Sequence, residues 1–413
     1  MQRILSTQLP AHVGGPVRLA GWVHRRRLLK SVAFLILRDA GGLAQVVVTA
    51  PAARAQLEAL TEETVVEVTG EVVANPAAPA GVEVVDPRVR PLGPAAAPLP
   101  FDLFRPELAA GLPAQLDHAP LSLRHASRAR ALRASAAAAA GFRSTLDRLR
   151  FVEIHTPKIV ASSTESGANV FALDYFGRPA YLAQSPQFYK QLMVGVFERV
   201  YEVGPVFRAE PHDTGRHLAQ YTSLDAELGF VDDHRDVMAV VREVLAGMAP
   251  ADLPVPEKIP EVHFTDALAI AGAPADEPDL APAHERAVGE WALREHGSDF
   301  VFVTGYPMAK RPFYTHPDPA RPGYSNGFDL LFRGVELITG GQRLHRYEDY
   351  VAALAARGEP VEPYAAYVDA FRHGMPPHGG FAIGLERFVA KLTGAANVRE
   401  VTAFPRDRHR LTP

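Results

Sequence analysis

Between residues 17 and 90, apolar and polar positions alternate in short runs with the period of a β-strand. The runs are Val17–Val23, Ala33–Arg38, Ala44–Thr49, Thr64–Val73 and Val82–Val89, rich in β-branched residues and mostly bounded by Gly, Pro or Asn. A helix-like stretch, Ala52–Leu60, interrupts them. Five strands around one helix suit a small Greek-key barrel of the OB type, with another β-barrel or a sandwich as the alternative. Pro91–Pro100 then reads as a semi-rigid linker, and Pro106–Arg124 as a connecting segment with little periodicity.

The pattern changes at Ser127–Leu149, a long helix rich in Ala, Leu and Arg, followed by a strand over Phe151–Val160 that Pro157 interrupts. Beyond it, strands are predicted at Tyr181–Leu182, Val200–Arg208, Gln220–Phe230, Gly327–Thr339 and Gly379–Gly384. Helices are predicted at Ser185–Glu198, Arg235–Met248, Tyr347–Arg357, Tyr364–His373 and Leu385–Leu392. Strands joined by hairpins or long excursions, without repeated βαβ units, predict an antiparallel sheet of α+β type. Residues 250–285, rich in Pro, Ala and acids, read as a small surface insertion. The expected organisation is a barrel over 1–93, a hinge over 94–125 and a second domain over 126–413.

Composition narrows this little. The 413 residues carry 47% hydrophobic and 22% charged side chains, an ordinary globular balance. A net charge of −4 announces no nucleic-acid partner, so RNA contact would rest on local basic patches rather than on overall charge. The chain contains no cysteine, which excludes disulfides, thiolate metal sites and cysteine nucleophiles. No apolar run is long enough to span a membrane, and Met1–Thr7 lacks an apolar segment, so the cytoplasm is the expected compartment.

Two short stretches carry the chemistry. In Val206–Glu210, Arg208 and Glu210 stand two apart and so share a face; Arg216, His217 and a returning strand with Tyr221, Asp225 and Glu227 follow. A guanidinium grips phosphate with two parallel hydrogen bonds, a carboxylate can read an amine edge, and Tyr221 offers a stacking face. In Gly379–Arg387, a glycine-bearing strand opens into a helix with Arg387 in its first turn, a junction that lets an anion approach the backbone closely. Each stretch alone reads as a solvated hairpin or as simple packing. Together they point to a nucleotide site, built without the Gly-x-Gly-x-x-Gly or Walker lysine loops, which this sequence lacks.

With the helix and Pro157 strand of Gly141–Val160, these stretches resemble the three signature motifs of class II aminoacyl-tRNA synthetases. The strings Tyr181–Gln191 and Gly334–Arg343, with Phe34 and Gln45, narrow the resemblance to the aspartyl-tRNA synthetase family, in its compact archaeal-type branch. The fold implied is an OB barrel followed by a class II antiparallel-sheet catalytic domain. For ATP the resemblance implies Arg208 on the α-phosphate, Glu210 at the adenine amine, Tyr221 on the ring, and Arg216, His217 and Arg387 on the outer phosphates. Leu218, Gly384, Leu385 and Glu386 complete that site, and Arg208 and Arg387 are the catalytic pair. Glu336 and Thr339 would hold Mg2+, two hard oxygen donors with few protein contacts. For L-aspartate it implies Lys190 and Arg343 on the side-chain carboxylate, oriented by Asp225. Glu165, in a loop expected to move, would meet the ammonium with Gln187, and Phe188, Tyr189, Arg208 and Thr339 would lie alongside.

On the barrel the same resemblance implies that Phe34 stacks on an anticodon base, Gln45 hydrogen-bonds it and Arg26 contributes charge. Pro157 would lie in a homodimer interface. Ala382 departs from the pattern by replacing a glycine, Ser166 replaces a glycine in the loop, and Thr339 replaces a serine. His24, and the lack of a lysine near Pro76-Ala77, look like the non-discriminating type that charges both tRNA(Asp) and tRNA(Asn), the second product then needing an amidotransferase. Three other readings compete. An asparaginyl-tRNA synthetase is opposed by Lys190, and a tRNA-independent asparagine synthetase by the barrel. An inactive RNA-binding paralogue is opposed by Arg208, Arg387 and Glu336.

Overall fold

The computed structural model of the protein describes residues 1–162, 169–211 and 213–412. The chain divides into two compact units, Met1–His125 and Ala126–Pro413.

In the first unit, β1 (Pro16–Leu28), β2 (Ala33–Arg38), β3 (Leu43–Val48), β4 (Val65–Ala74) and β5 (Val82–Gly93) close into a barrel in the order β1-β2-β3-β5-β4, with α1 (Pro51–Ala59) between β3 and β4. The alternation explains the closure. Val17, Leu19, Val23, Leu35, Leu37, Val46, Val66, Val68 and Val84 are almost wholly buried and form one core. Each such side chain contributes about 1.5–3 kcal/mol of transfer free energy. One irregularity matters for function. Val23 pairs with Leu37 but Arg25 pairs with Ile36, so His24 is an extra residue in a β-bulge. Past the bulge, the inward positions change from odd to even numbers.

The linker expected from Pro91 begins later, because Pro91–Gly93 complete β5, which is tied to β4 in register. The connecting segment also has structure of its own, α2 (Leu112–Asp117) and α3 (Ala119–Ser122).

The second unit opens with α4 (Ala126–Arg148). Its strands and helices are, in chain order, β6 (Val152–Glu153), β7 (Ile159–Val160), β8 (Ala172–Tyr175), β9 (Arg178–Leu182), α5 (Gln187–Phe197), β10 (Arg199–Phe207), β11 (Gln220–Gly229) and α6 (His234–Met248). Then follow β12 (Glu261–His263), α7 (Phe264–Ala271), α8 (Pro282–His296), β13 (Phe300–Thr304), β14 (Gly327–Phe332), β15 (Val335–Gln342), α9 (Tyr347–Ala356), α10 (Ala365–Val368), β16 (His378–Gly384) and α11 (Leu385–Thr393).

Eight strands form the main sheet in the order β12-β13-β14-β15-β16-β11-β10-β6. It is antiparallel inside, as expected, and parallel only at its two edge pairs, β12 with β13 and β10 with β6. One face packs on α4 and α6: Phe142, Leu146, Val241 and Leu245 meet Leu224, Ala226, Leu228, Phe381 and Ile383 in one core. The alternate residues of β11, namely Tyr221, Ser223, Asp225 and Glu227, therefore face the other way.

Three expectations need correction. The single strand expected over Phe151–Val160 is two short strands in different sheets, because Pro157 cannot donate to a ladder. The strand expected over Gly327–Thr339 is a hairpin, turning at Arg333-Gly334 where both residues have positive φ. Residues 250–285 are not a surface insertion. Glu261–His263 is an edge strand of the main sheet, and Phe264, Ala267 and Leu268 of α7 form a core with Val288 and Ala292 of α8 and with Val301 and Val303 of β13. Their Ala, Pro and acid content hid a packed helix pair, since short apolar residues pack well where helices approach closely.

Candidate nucleotide, amino-acid and anticodon sites

The end of β10, the return of β11, strands β15 and β16 and the first turn of α11 enclose a cavity of about 250 Å³. Arg208, Glu210, Arg216, His217, Leu218, Tyr221, Glu336, Thr339, Gly384, Glu386 and Arg387 line it, with Ala382 in its floor, joined by Ser223, Leu337, Ile383 and Val398, which sequence reasoning did not assign to the nucleotide. Leu385 instead turns into the hydrophobic core. Arg208 lies over the Tyr221 ring, 5.8 Å from its centroid. Arg387 reaches across from α11 and donates to the Glu336 carbonyl at 2.8 Å, with the Glu336 carboxylate 3.7 Å away. Glu386 accepts from the Thr222 amide at 3.0 Å, tying the start of α11 to β11.

Glu336 and Thr339 are three residues apart, which in a regular strand would send them to opposite faces. A bulge prevents this. Glu336 pairs with Leu331 and Ile338 with Leu330, so Leu337 is the extra residue, and the Thr339 hydroxyl comes to 3.1 Å from the Glu336 carboxylate. Burial alone would raise the Glu336 carboxyl, but the guanidinium groups of Arg387 and Arg311 outweigh it and hold the group below its ordinary value. Behind it lies Asp329, which sequence reasoning missed. Burial pushes its carboxyl up to about 6, and its salt bridge with Arg311 at 3.0 Å only partly offsets that. A carboxylate kept ionised beside a hydroxyl, on a wall shared with three arginines, is an oxygen-donor set that fits Mg2+ in company with phosphate oxygens and water.

Next to this cavity is a closed cluster of charges. Ala382 of the cavity floor pairs with Asp225 across β16 and β11. Asp225 accepts from the Lys190 ammonium at 3.0 Å and from the Ser223 hydroxyl. Lys190 also lies 3.3 Å from Glu227 and donates to the Phe381 carbonyl at 3.0 Å. Arg343 donates to Glu227 and to the Gly380 carbonyl, both at 3.0 Å. Lys190 is 1% exposed, Asp225 1% and Glu227 0%. Gly380 is required here: a Cβ would stand 1.9 Å from a Glu227 carboxylate oxygen. Burial opposes ionisation of Glu227, yet Arg343 and Lys190 hold its carboxyl below the ordinary value. Asp225 was expected to orient both cations. The structure gives Lys190 to Asp225 and makes Glu227, left unassigned by sequence reasoning, the carboxylate that meets Arg343 and Lys190 together.

Gln187 donates to Gln191 at 2.8 Å, and Gln191 in turn bonds Tyr350, Tyr367 and His378, a buried relay behind the cluster. Phe188, expected beside the amino acid, stacks on Tyr367 at 4.3 Å inside an aromatic core, while Tyr189 is half-buried on α5. Glu165 and Ser166 lie outside the described residues.

On the barrel, Ile36 pairs with Gln45, and Phe34 with Arg27, so Gln45, Phe34 and Arg27 share the outer face. Arg26, expected there, pairs with the interior Leu35 and donates to the Leu57 and Glu58 carbonyls at the end of α1. The parity change at His24 causes this, and a cation capping a helix C-terminus is its favourable consequence. His24 itself contacts Arg38 at 3.2 Å, and burial holds its imidazole down at about 4, hence neutral at pH 7. Glu83 accepts from Gln45 at 2.9 Å and from Asn75 at 2.8 Å. It thereby joins the Gln45 amide to the turn bearing the exposed Pro76 and Ala77.

Comparison with known proteins agrees with this geometry. A family profile described as class II tRNA synthetases for D, K and N matches residues 112–408, and one for an OB-fold nucleic-acid-binding domain matches residues 17–92. The chain is 45% identical to the aspartate–tRNA(Asp/Asn) ligase of Thermus thermophilus over 100% of both chains. It is 45% identical to the Deinococcus radiodurans protein of the same name, covering 100% of this chain and 99% of that one. Among solved structures, the asparaginyl-tRNA synthetase of Pyrococcus horikoshii complexed with asparaginyl-adenylate superposes with a TM-score of 0.92 at 28% identity, covering 100% of each chain.

Proposed function

Since the chain belongs to the class II tRNA synthetase family for aspartate, lysine and asparagine, we propose that it activates L-aspartate with ATP and transfers it to tRNA(Asp) and tRNA(Asn). In the first step the α-carboxylate of aspartate attacks the α-phosphorus of ATP, giving aspartyl-adenylate and pyrophosphate. In the second, a ribose hydroxyl at the tRNA 3′ end attacks the adenylate carbonyl and releases AMP. No general base is needed for the first, because the carboxylate is already ionised. Rate comes from positioning and from cations aimed at the phosphates. Arg208 holds the α-phosphate, Glu210 meets the adenine amine, Tyr221 stacks on the ring, and Arg216, His217 and Arg387 take the outer phosphates. Glu336 and Thr339 hold Mg2+, which neutralises phosphate charge when bound.

The observation that carries the choice of amino acid is the buried pair Lys190 and Arg343 beside the cavity. Both offer only donors, which suits a carboxylate and leaves an asparagine amide nitrogen without an acceptor from them. This favours aspartate over asparagine even though an asparaginyl enzyme has so similar a backbone. Glu165 and Gln187 meet the ammonium. On the barrel, Phe34 stacks on an anticodon base and Gln45 reads its edge, with Arg27 in the place expected for Arg26. A neutral His24 and the short Pro76-Ala77 turn, with no lysine, favour acceptance of both tRNAs, and the aspartyl-tRNA(Asn) formed then passes to an amidotransferase in the cytoplasm.

A homodimer fits the free edge of the main sheet. Its edge strand β6 is only two residues long, and Val152, Val196, Phe197 and Phe230 are exposed near the same end. Pro157 lies between Thr156 and Lys158, both held by Glu202 at 2.7 and 2.8 Å.

Pyrophosphate exchange with aspartate and with asparagine, followed by charging of tRNA(Asp) and tRNA(Asn) transcripts, tests the proposal. Exchange with aspartate and charging of both transcripts are expected. Exchange with asparagine alone would overturn the amino-acid assignment, and negligible charging of tRNA(Asn) would overturn the dual tRNA assignment.

A further inference from the structure

We propose that Glu285 is a positioning residue of the ATP site, a bracket that fixes Arg216 at the cavity mouth and Glu336 at its wall. This rests on the reading of Arg216 as a triphosphate ligand. Glu285 belongs to the first turn of α8, a helix with no residue in the cavity, and ends the segment that looks like a surface insertion in the sequence. It is only 4% exposed. One carboxylate oxygen takes two donors of different origin: the Arg216 guanidinium at 3.1 Å and the backbone amide of Glu336 at 3.0 Å. The other oxygen lies 3.4 Å from the same guanidinium. A single buried carboxylate therefore ties the loop between β10 and β11 to the start of β15.

The helix that carries Glu285 is itself held at fixed height. A Cβ on Gly289 would stand 2.6 Å from Gly334 backbone atoms, and a Cβ on Gly334 would stand 2.9 Å from the Arg286 Cα. Backbone thus meets backbone at the β14–β15 turn, with Gly334 at φ +68°, a conformation that suits glycine. Little adjustment is left between α8 and the strand whose bulge presents Glu336 and Thr339.

The consequence for ATP follows from geometry. Arg216 is 31% exposed in its side chain, long and rotamer-rich, and without an anchor it would be ordered only on binding. Held by Glu285 at one nitrogen, it keeps its remaining donors for phosphate, and the ordering cost is met before ATP arrives. Aspartate is handled by Lys190 and Arg343, to which Glu285 makes no described contact, so the effect falls on ATP alone.

The test is steady-state pyrophosphate exchange by the full-length enzyme with Glu285→Gln, Arg216→Ala and the double variant, alongside thermal melts. Gln keeps the size and one acceptor, so the fold should be retained. Glu285→Gln should raise KM for ATP roughly two- to tenfold, the range for the ordering cost of one rotamer-rich side chain, with KM for aspartate and the melting temperature unchanged. In the double variant the two effects should be strongly non-additive. An unchanged KM for ATP in Glu285→Gln, or additive effects, overturns the bracket. If Arg216→Ala itself leaves KM for ATP unchanged, it is the assignment of Arg216 to the triphosphate that fails.

Discussion

The candidate nucleotide cavity and the charge cluster beside it share strands β11 and β16 yet are built on opposite principles. In the cavity, Arg387 and Glu336 have side chains 25% and 41% exposed, the walls come from three strands, one helix turn and the loop between β10 and β11, and the cations are spaced around a void. In the cluster, Lys190 of α5 and Arg343, just past β15, are buried against Asp225 and Glu227 of β11 and pair with them. A site for a large polyanion stays open because the ligand completes it. A site that must tell one small side chain from another is assembled beforehand, where each buried charge is costly unless paired.

The largest expected effect separates the two on the side of activity. Arg208→Ala should lower aspartate-dependent exchange by roughly 10²- to 10³-fold, as for loss of one group that stabilises developing charge, and barely move the melting temperature. A loss below tenfold would remove Arg208 from the α-phosphate.

Lys190→Met tests the cluster. It leaves Asp225 and Glu227 with one cation fewer at a cost of about 3–5 kcal/mol, so chemical denaturation should show a large drop in stability while KM for aspartate rises and KM for ATP stays. Undiminished stability would mean that the cluster relaxes as an open site does, and the contrast would disappear.

Titration probes the same contrast more gently. Burial lowers the His378 imidazole from 6.5 to about 4, although Glu227 pulls the other way; its Nδ1 bonds the Pro376 carbonyl at 2.9 Å and its Nε2 bonds Gln191 at 2.9 Å. The unfolded chain binds the proton more readily, so stability is present above pH 6.5 and is lost as pH falls towards 4, by about 3 kcal/mol at most. Denaturant titrations at pH 7 and pH 5 should show that slope, and His378→Gln should flatten it.

The smallest effect belongs to the cavity wall. Thr339→Ser keeps the hydroxyl next to Glu336 and should change the Mg2+ dependence of exchange by no more than about twofold, as is usual for a substitution that leaves the local partners in place. Thr339→Ala, which deletes the donor, should shift it further.

Much of this was legible in the residues. Arg208, Glu210, Arg216, Tyr221 and Arg387 are long or aromatic side chains at strand ends and at a glycine junction, and the cavity collects them all. The barrel strands could be read because one face is buried, so alternation is enforced. Glu227 and Glu285 were not legible. A carboxylate in a strand or in an Ala-rich helix looks like any solvated acid until the fold buries it against a cation. The α7–α8 pair was missed for a related reason, since its small residues are apolar enough to pack but too weak in pattern to announce it.

What the chain determined by itself was the period of each element and the chemical groups available on each face. What only the tertiary structure decided was parity and partnership. The bulges at His24 and Leu337 each add one residue against a neighbouring strand; they turn Arg26 away from Phe34 and bring Thr339 round to Glu336. Such a shift exists only relative to a pairing partner, and the choice of Glu227 for Arg343 or of Glu285 for Arg216 depends on which distant segments the fold places within hydrogen-bonding distance, 3.0 and 3.1 Å.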